Sequence, residues 1–200
     1  MRAVPEADVA AKRWRGIEEL AGLIGAYCWV ENRVFELTGV WAKGTGNGPR
    51  GGLEPAQRVW CAGVSRRHGL LAARWAERLP VRAGVDRGAL VTAPAGPLAL
   101  GLDALAAPSD ARVGLAALVE ALLPRLQALY GAHRHTASPV SEGSVLEVLR
   151  GAHRDLAAEV SGGRALLEGS AERLTRDTAL AYRIERAFDE SDVFPAVPAS

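Results

Sequence analysis

Three side chains combine reactive chemistry with a telling position. Glu31, His68 and His153 each interrupt an apolar helical stripe. A carboxylate and two imidazoles can hold a divalent metal with open positions left for substrate. That set suits mononuclear non-haem iron, and zinc or manganese can use the same ligands. Without a metal, a Glu–His pair in an apolar pocket has the parts for general acid–base work. The plainest alternative is a satisfied hydrogen-bonded pair of Glu31 with His68, with His153 bonded to a neighbour or to water. Tyr27 and Pro124 are expected near the same cavity, Tyr27 as a catalytic partner to Glu31 and His68. Iron there would imply O2-dependent oxidation.

These residues need helices to carry them. Over Ile17–Ala42 one heptad seam reads Ile17, Ile24, Glu31, Thr38 and the next reads Leu20, Tyr27, Val34, Trp41. A flanking row of Ala21, Cys28, Phe35 and Ala42 widens the apolar face to that of a core-facing helix. Glu31 therefore points inward, whereas Glu36 lies on the outer row with Trp29 and Lys43. The first helix is expected from about Asp8, as N-cap, to Ala42. A second runs from Glu54 to Leu79 with His68 in mid-stripe, and Pro55 suits its first turn. The glycine-rich KGTGNGPRGGLE between them joins helix to helix and reads as a flexible connection. A phosphate-cradling loop would follow a strand.

Residues 80–108 are rich in Gly, Pro and Ala and long enough to travel the length of a bundle at ~3.3 Å per residue. A short helix is expected at Leu98–Ala106, and Val85–Val91 is the one place where a strand could be argued. The third long helix, capped by Ser109 or Asp110, reaches about His133, with Pro124 bending its middle. The fourth starts between Ser138 and Ser141 and continues to Gly169. A fifth spans 170–189 from a Ser170 cap, with Leu174, Ala181, Ile184 and Phe188 inward. Val193 and Phe194 can dock the tail. Two units follow: residues 1–169 as the bundle and 170–200 as a C-terminal helix and tail packed on it.

An antiparallel first pair puts Glu31 and His68 within about 4–5 Å of the same height. A hairpin through 134–138 places His153 opposite Leu122, level with His68 if the third helix runs parallel to the second. An all-α bundle with one long crossover and inward Glu and His at mid-height resembles the ferritin-like superfamily. The segments CWVENRVFEL and VSRRHGLLAARWAERLP are similar to small, poorly characterised bacterial ferritin-like proteins. The resemblance implies a ferritin-like four-helix bundle and a small-molecule enzyme, with a metal-dependent oxidoreductase as the sharper form. Its di-iron pattern takes one Glu from each of two helices and Glu-x-x-His from each of the others. Glu31 and His68 match members of that pattern, and His153 matches the second motif histidine. Ser65 and Arg150 stand where the two motif carboxylates belong. The implied ligand set is Glu31, His68 and His153, and the cofactor is iron or none. The alternative is a metal-free bundle that binds a ligand or a partner protein.

Composition narrows the partners. A net charge of +1 gives no basic stripe for nucleic acid. No uninterrupted apolar run approaches the ~18 residues of a membrane span. Lysine occurs only at Lys12 and Lys43, an arginine bias attributed to codon usage. Cys28 and Cys61 fall on buried faces at different heights, as core fillers in a reducing cytoplasm. His133 and His135 read as helix C-terminal histidines favoured by the dipole. The expected partner is a small molecule, and a homodimer is compatible with the sequence.

Overall fold

The computed structural model describes residues 14–44, 52–81, 83–106, 111–169 and 178–194. Among them the chain is all helical, with no strand. The helices are α1 (Ile17–Lys43), α2 (Pro55–Arg78), α3 (Leu98–Ala106), α4 (Ala111–Thr136), α5 (Gly143–Glu168) and α6 (Thr178–Asp189). Residues 14–16 precede α1 without helical structure, so the first helix starts well after the expected cap. That cap, Asp8, lies outside the described residues, as do Ser109, Asp110, Ser170 and Leu174. Local chemistry explains several ends. Glu54 and Gln57 close a capping box at the start of α2, with Pro55 in its first turn. Gly44, at φ 73°, takes the left-handed conformation that stops α1.

The contacts of α1 fix its direction against α2. Cys28 reaches the Ala72 carbonyl, Glu31 reaches His68, Ser65 bonds the Phe35 carbonyl, and Arg58 bonds the Ala42 carbonyl. Numbers rise on one helix as they fall on the other, which is an antiparallel pair. The same test sets α5 antiparallel to α2, through Arg67 and His68 with Glu159 and Arg78 with the Ser144 carbonyl. It sets α4 antiparallel to α1, through Glu31 with Tyr130 and Tyr27 with His133. Hence α4 runs parallel to α2, as the long crossover requires.

The α4–α5 hairpin departs from expectation. Helix α4 continues to Thr136 and α5 begins only at Gly143, so the turn sits later than 134–138. His153 consequently lies beside Gly131 and not opposite Leu122. Within α4, Leu118–Leu122 form a π-helical turn in which the Leu123 N–H bonds the Leu118 carbonyl. Pro124 has no N–H to give and its ring crowds the preceding turn. Widening that turn is one way a helix absorbs a proline.

The crossover presses close to α1 at Gly25, where a Cβ would sit 2.0 Å from the Leu90 carbonyl oxygen. Val85–Val91 forms a 3-10 turn at Arg87–Leu90, and Leu98–Ala106 is the short helix α3. Helix α6 packs on α3 and on the π-helical turn, burying Leu180, Ile184, Ala187 and Phe188. Phe194 follows it and stacks on Tyr27, ring centroids 5.6 Å apart. On length and hydropathy Ala111–Thr136 is apolar enough to cross a membrane, which corrects the expectation that no segment qualifies. Most of that stretch is buried against the other helices, with Leu115, Leu118, Leu122, Leu126 and Leu129 almost solvent-free. Each such leucine stabilises the fold by about 1.5–3 kcal/mol.

Candidate functional site

Glu31 and His68 meet at the centre of the helices, both essentially free of solvent. The Nδ1 of His68 bonds Glu31 Oε2, and its Nε2 bonds Glu159 Oε2 at 3.0 Å. The other oxygen of Glu31 accepts from the Tyr130 hydroxyl, and that hydroxyl accepts from Trp75 Nε1 at 3.3 Å. The other oxygen of Glu159 accepts from Arg67 Nε. Four helices therefore contribute to one chain running Trp75, Tyr130, Glu31, His68, Glu159, Arg67. Two carboxylates face one imidazolium and one guanidinium, so the group is charge-balanced. Balance and full pairing are what make buried charge tolerable.

Burial alone pushes the His68 pKa down, yet Glu31 and Glu159, by charge and hydrogen bonds, more than reverse this and lift it to about 10. His68 is therefore a cation at neutral pH and donates from both nitrogens. Glu159 shows the reciprocal effect: burial raises its pKa, but the bonds from His68 and Arg67 win and hold it below the usual carboxylate range. Burial and the Glu31 carboxylate both raise the Tyr130 hydroxyl well above its ordinary value, so it stays protonated and donates.

One end of this chain is reached from outside. A recess between α2 and α5, of about 80 Å³, is lined by His68, Glu159, Arg67, Arg74 and Asp155 over the apolar Leu71 and Leu156. Glu31 and Tyr130 lie behind it.

A second buried cluster sits nearer the α4–α5 turn. The Tyr27 hydroxyl contacts His133 Nδ1 at 3.3 Å, His133 Nε2 bonds Glu142 Oε2 at 2.8 Å, and Arg15 lies 3.4 Å from Glu142. Glu142 also accepts from the Ser138 N–H, pinning the turn. Burial, helped by Arg15, holds the His133 pKa below its ordinary value against the pull of Glu142. As a neutral ring, His133 donates through Nε2 and accepts from Tyr27 through Nδ1. Tyr27 meets Tyr130 edge-on at 4.9 Å and Trp75 at 5.1 Å, so aromatic rings are all that separate the clusters.

Of the residues expected to share a layer, the structure brings Glu31 and His68 into direct contact. His153 is placed elsewhere. It is half-buried beside Gly131, and Arg134 and His135 add to burial in lowering its pKa. A ring whose charged neighbours are cationic does not join the Glu31–His68 pair. Tyr27 is fully buried but bonds His133, not that pair. His133 is a core residue and not a solvated helix-end histidine. The residues missed were Glu159 and Tyr130 in the first cluster, and Arg15 and Glu142 in the second. Glu159 had a readable signal, because it falls on the seam of Val145, Leu149, Ala152 and Leu156 at the spacing 4, 3, 4, 3. Glu142 lies in the turn, where periodicity carries no information.

The donor arrangement can be tested against a metal centre. Among the described residues no group of three or more His, Cys, Asp or Glu side chains is disposed to hold an ion. Both ring nitrogens of His68 are engaged by carboxylates on opposite sides, leaving no lone pair directed at a shared point. The residues as arranged do not fit a metal. Fold and site thus define an all-α protein with a buried, charge-paired acid–imidazole network. No family model matches the chain, and no match is found among curated proteins or solved structures.

Proposed function

We propose that the chain is a ferritin-like four-helix bundle whose mid-bundle layer works without a metal, as an acid–base relay acting on a small molecule bound between α2 and α5. The observation that carries this reading is the doubly bonded His68, which joins carboxylates from two other helices while its Glu159 side faces the recess. The alternating directions of α1, α2, α4 and α5, with one long crossover, are those of the ferritin-like arrangement. In that arrangement the Glu-x-x-His pattern is split here between two helices. His68 has Ser65 three residues before it, and Glu159 has Gly162 three residues after it. One half of each motif survives, and the two halves face each other as an ion pair.

Chemically, Glu159 is the group placed to exchange a proton with a molecule in the recess. Arg67 and His68 fix its two oxygens, and Glu31 with Tyr130 holds the His68 cation from behind. A proton taken up at Glu159 is matched by one released along the His68–Glu31 bond, so the buried layer never carries unpaired charge. A cytoplasmic setting belongs to the same reading. Cys28 and Cys61 are free, buried and about eleven residues of helix rise apart, roughly 16 Å at ~1.5 Å per residue.

The test is elemental analysis of the purified full-length protein together with 15N NMR of its histidines. A doubly protonated His68 at pH 8, in protein without stoichiometric metal, supports the relay. Stoichiometric iron, manganese or zinc that is lost in His68→Ala would overturn it in favour of a metal-dependent oxidoreductase.

A further inference from the structure

We infer that the recess between α2 and α5 is a binding site for a short-chain monocarboxylate, held at its head by Arg74. The inference rests on the relay reading for its chemistry, since it names the class of molecule presented to Glu159. Five charged groups line the recess, and four of them are already engaged. Arg67 and His68 are bonded to Glu159, and Asp155 lies 3.7 Å from Arg154 outside the rim. Arg74 is the exposed cation that carries no ion pair or hydrogen bond among the described residues. An anion entering here meets one free guanidinium, and a guanidinium prefers a planar carboxylate that it can hold through two donors.

The floor decides what the rest of the molecule is. Leu71, Ala152 and Leu156 are apolar, and beyond them stand the carboxylates of Glu159 and Asp155. A dianion such as phosphate would pair with Arg74 while facing two negative groups across a few ångströms. A singly charged head with an apolar tail places its charge at Arg74 and its carbons on the leucines. Size agrees: about 80 Å³ holds roughly six water-sized groups at ~10–15 Å³ each, the heavy-atom count of a four-carbon acid. The tail then points at Glu159, which puts the carbon next to the carboxylate within reach of the relay.

Titration of the full-length protein with sodium butyrate, followed by methyl and histidine NMR, tests this. Saturable shifts at Leu71, Ala152, Leu156 and His68 are expected, with affinity falling on the order of tenfold in Arg74→Ala, the factor of one charge-assisted hydrogen bond. Arg74→Lys should keep part of the affinity. Arg74 is exposed, so both variants should fold. Acetate should bind more weakly than butyrate, and n-butylamine not at all. Inorganic phosphate binding as tightly as butyrate would reduce the site to a general anion site and overturn the inference, as would an Arg74→Ala titration identical to wild type. No shift with any carboxylate would also overturn it. If His68 is doubly protonated in that same sample, the relay reading survives that failure. Butyrate binding in a protein whose His68 is singly protonated would sink the relay and leave the site.

Discussion

Replacing His68 with leucine is the sharpest perturbation of the central layer. The substitution keeps apolar volume but removes the cation between Glu31 and Glu159, both of which are buried. Glu159 keeps Arg67 and Glu31 keeps the Tyr130 hydroxyl, yet Glu31 is left with no positive partner. Breaking a buried pair from one side costs about 3–5 kcal/mol. For a chain of this size that is a fall in melting temperature of about 6–20 °C, at 2–4 °C per kcal/mol. Glu31→Leu combined with His68→Leu should be less damaging than His68→Leu alone, because no orphan charge remains. A pH signature accompanies the loss. His68 has its folded pKa raised to about 10 from an ordinary 6.5. Its contribution is therefore complete below pH 6.5 and is lost as pH rises through 10. Between those values wild-type stability should fall by up to about 1.4 kcal/mol per pH unit. Urea denaturation at pH 7, 8, 9 and 10 measures both effects. A His68→Leu protein within 1 kcal/mol of wild type, or one that keeps the alkaline slope, refutes the ion-pair account.

Three other outcomes follow from packing. Gly25→Ala should destabilise by about 1–3 kcal/mol in thermal unfolding, because its methyl group meets the Leu90 carbonyl. Gly22→Ala, on the open side of the same helix, should be neutral or stabilise by about 0.5–1 kcal/mol. Phe194→Ala should cost about 3 kcal/mol and raise the exposure of Tyr27 and Trp75 to acrylamide quenching; unchanged quenching would show that the tail does not seal that end. Cys28 and Cys61 should be silent to a thiol reagent at pH 8 and react fully in denaturant, since burial pushes the Cys61 thiol up to about 12 and, with Glu31, raises Cys28.

Much of this was legible in the sequence, for a physical reason. Helical periodicity says which way a side chain faces, so Glu31 and His68 were both readable as inward from their stripes. A short connection forces antiparallel neighbours, and counting residues from it then set the two at one level. The same counting failed for His153, because its error grows with the uncertainty of the turn. A hairpin centred a few residues late moves a side chain by more than a helical turn and rotates it off the seam. Tyr130 was hidden differently, since a tyrosine beside Leu129 looks like ordinary core until its hydroxyl has a partner. Glu142 depended on the folded turn that it helps to hold. The ferritin-like resemblance led toward a second histidine, whereas the seam itself pointed to Glu159.

The widened turn at Leu118–Leu122 has a consequence for everything downstream of it. It stores one residue more than a regular helix would use, and so sets the rotational phase of the rest of α4. Deleting a single residue there would let the backbone close into regular coils and swing the remainder by about 100°. Tyr130 and His133, which serve the two separate clusters, would leave their partners together. That short swelling is the clockwork that keeps both polar clusters in step, and its length is as much a determinant of the interior as any side chain within it.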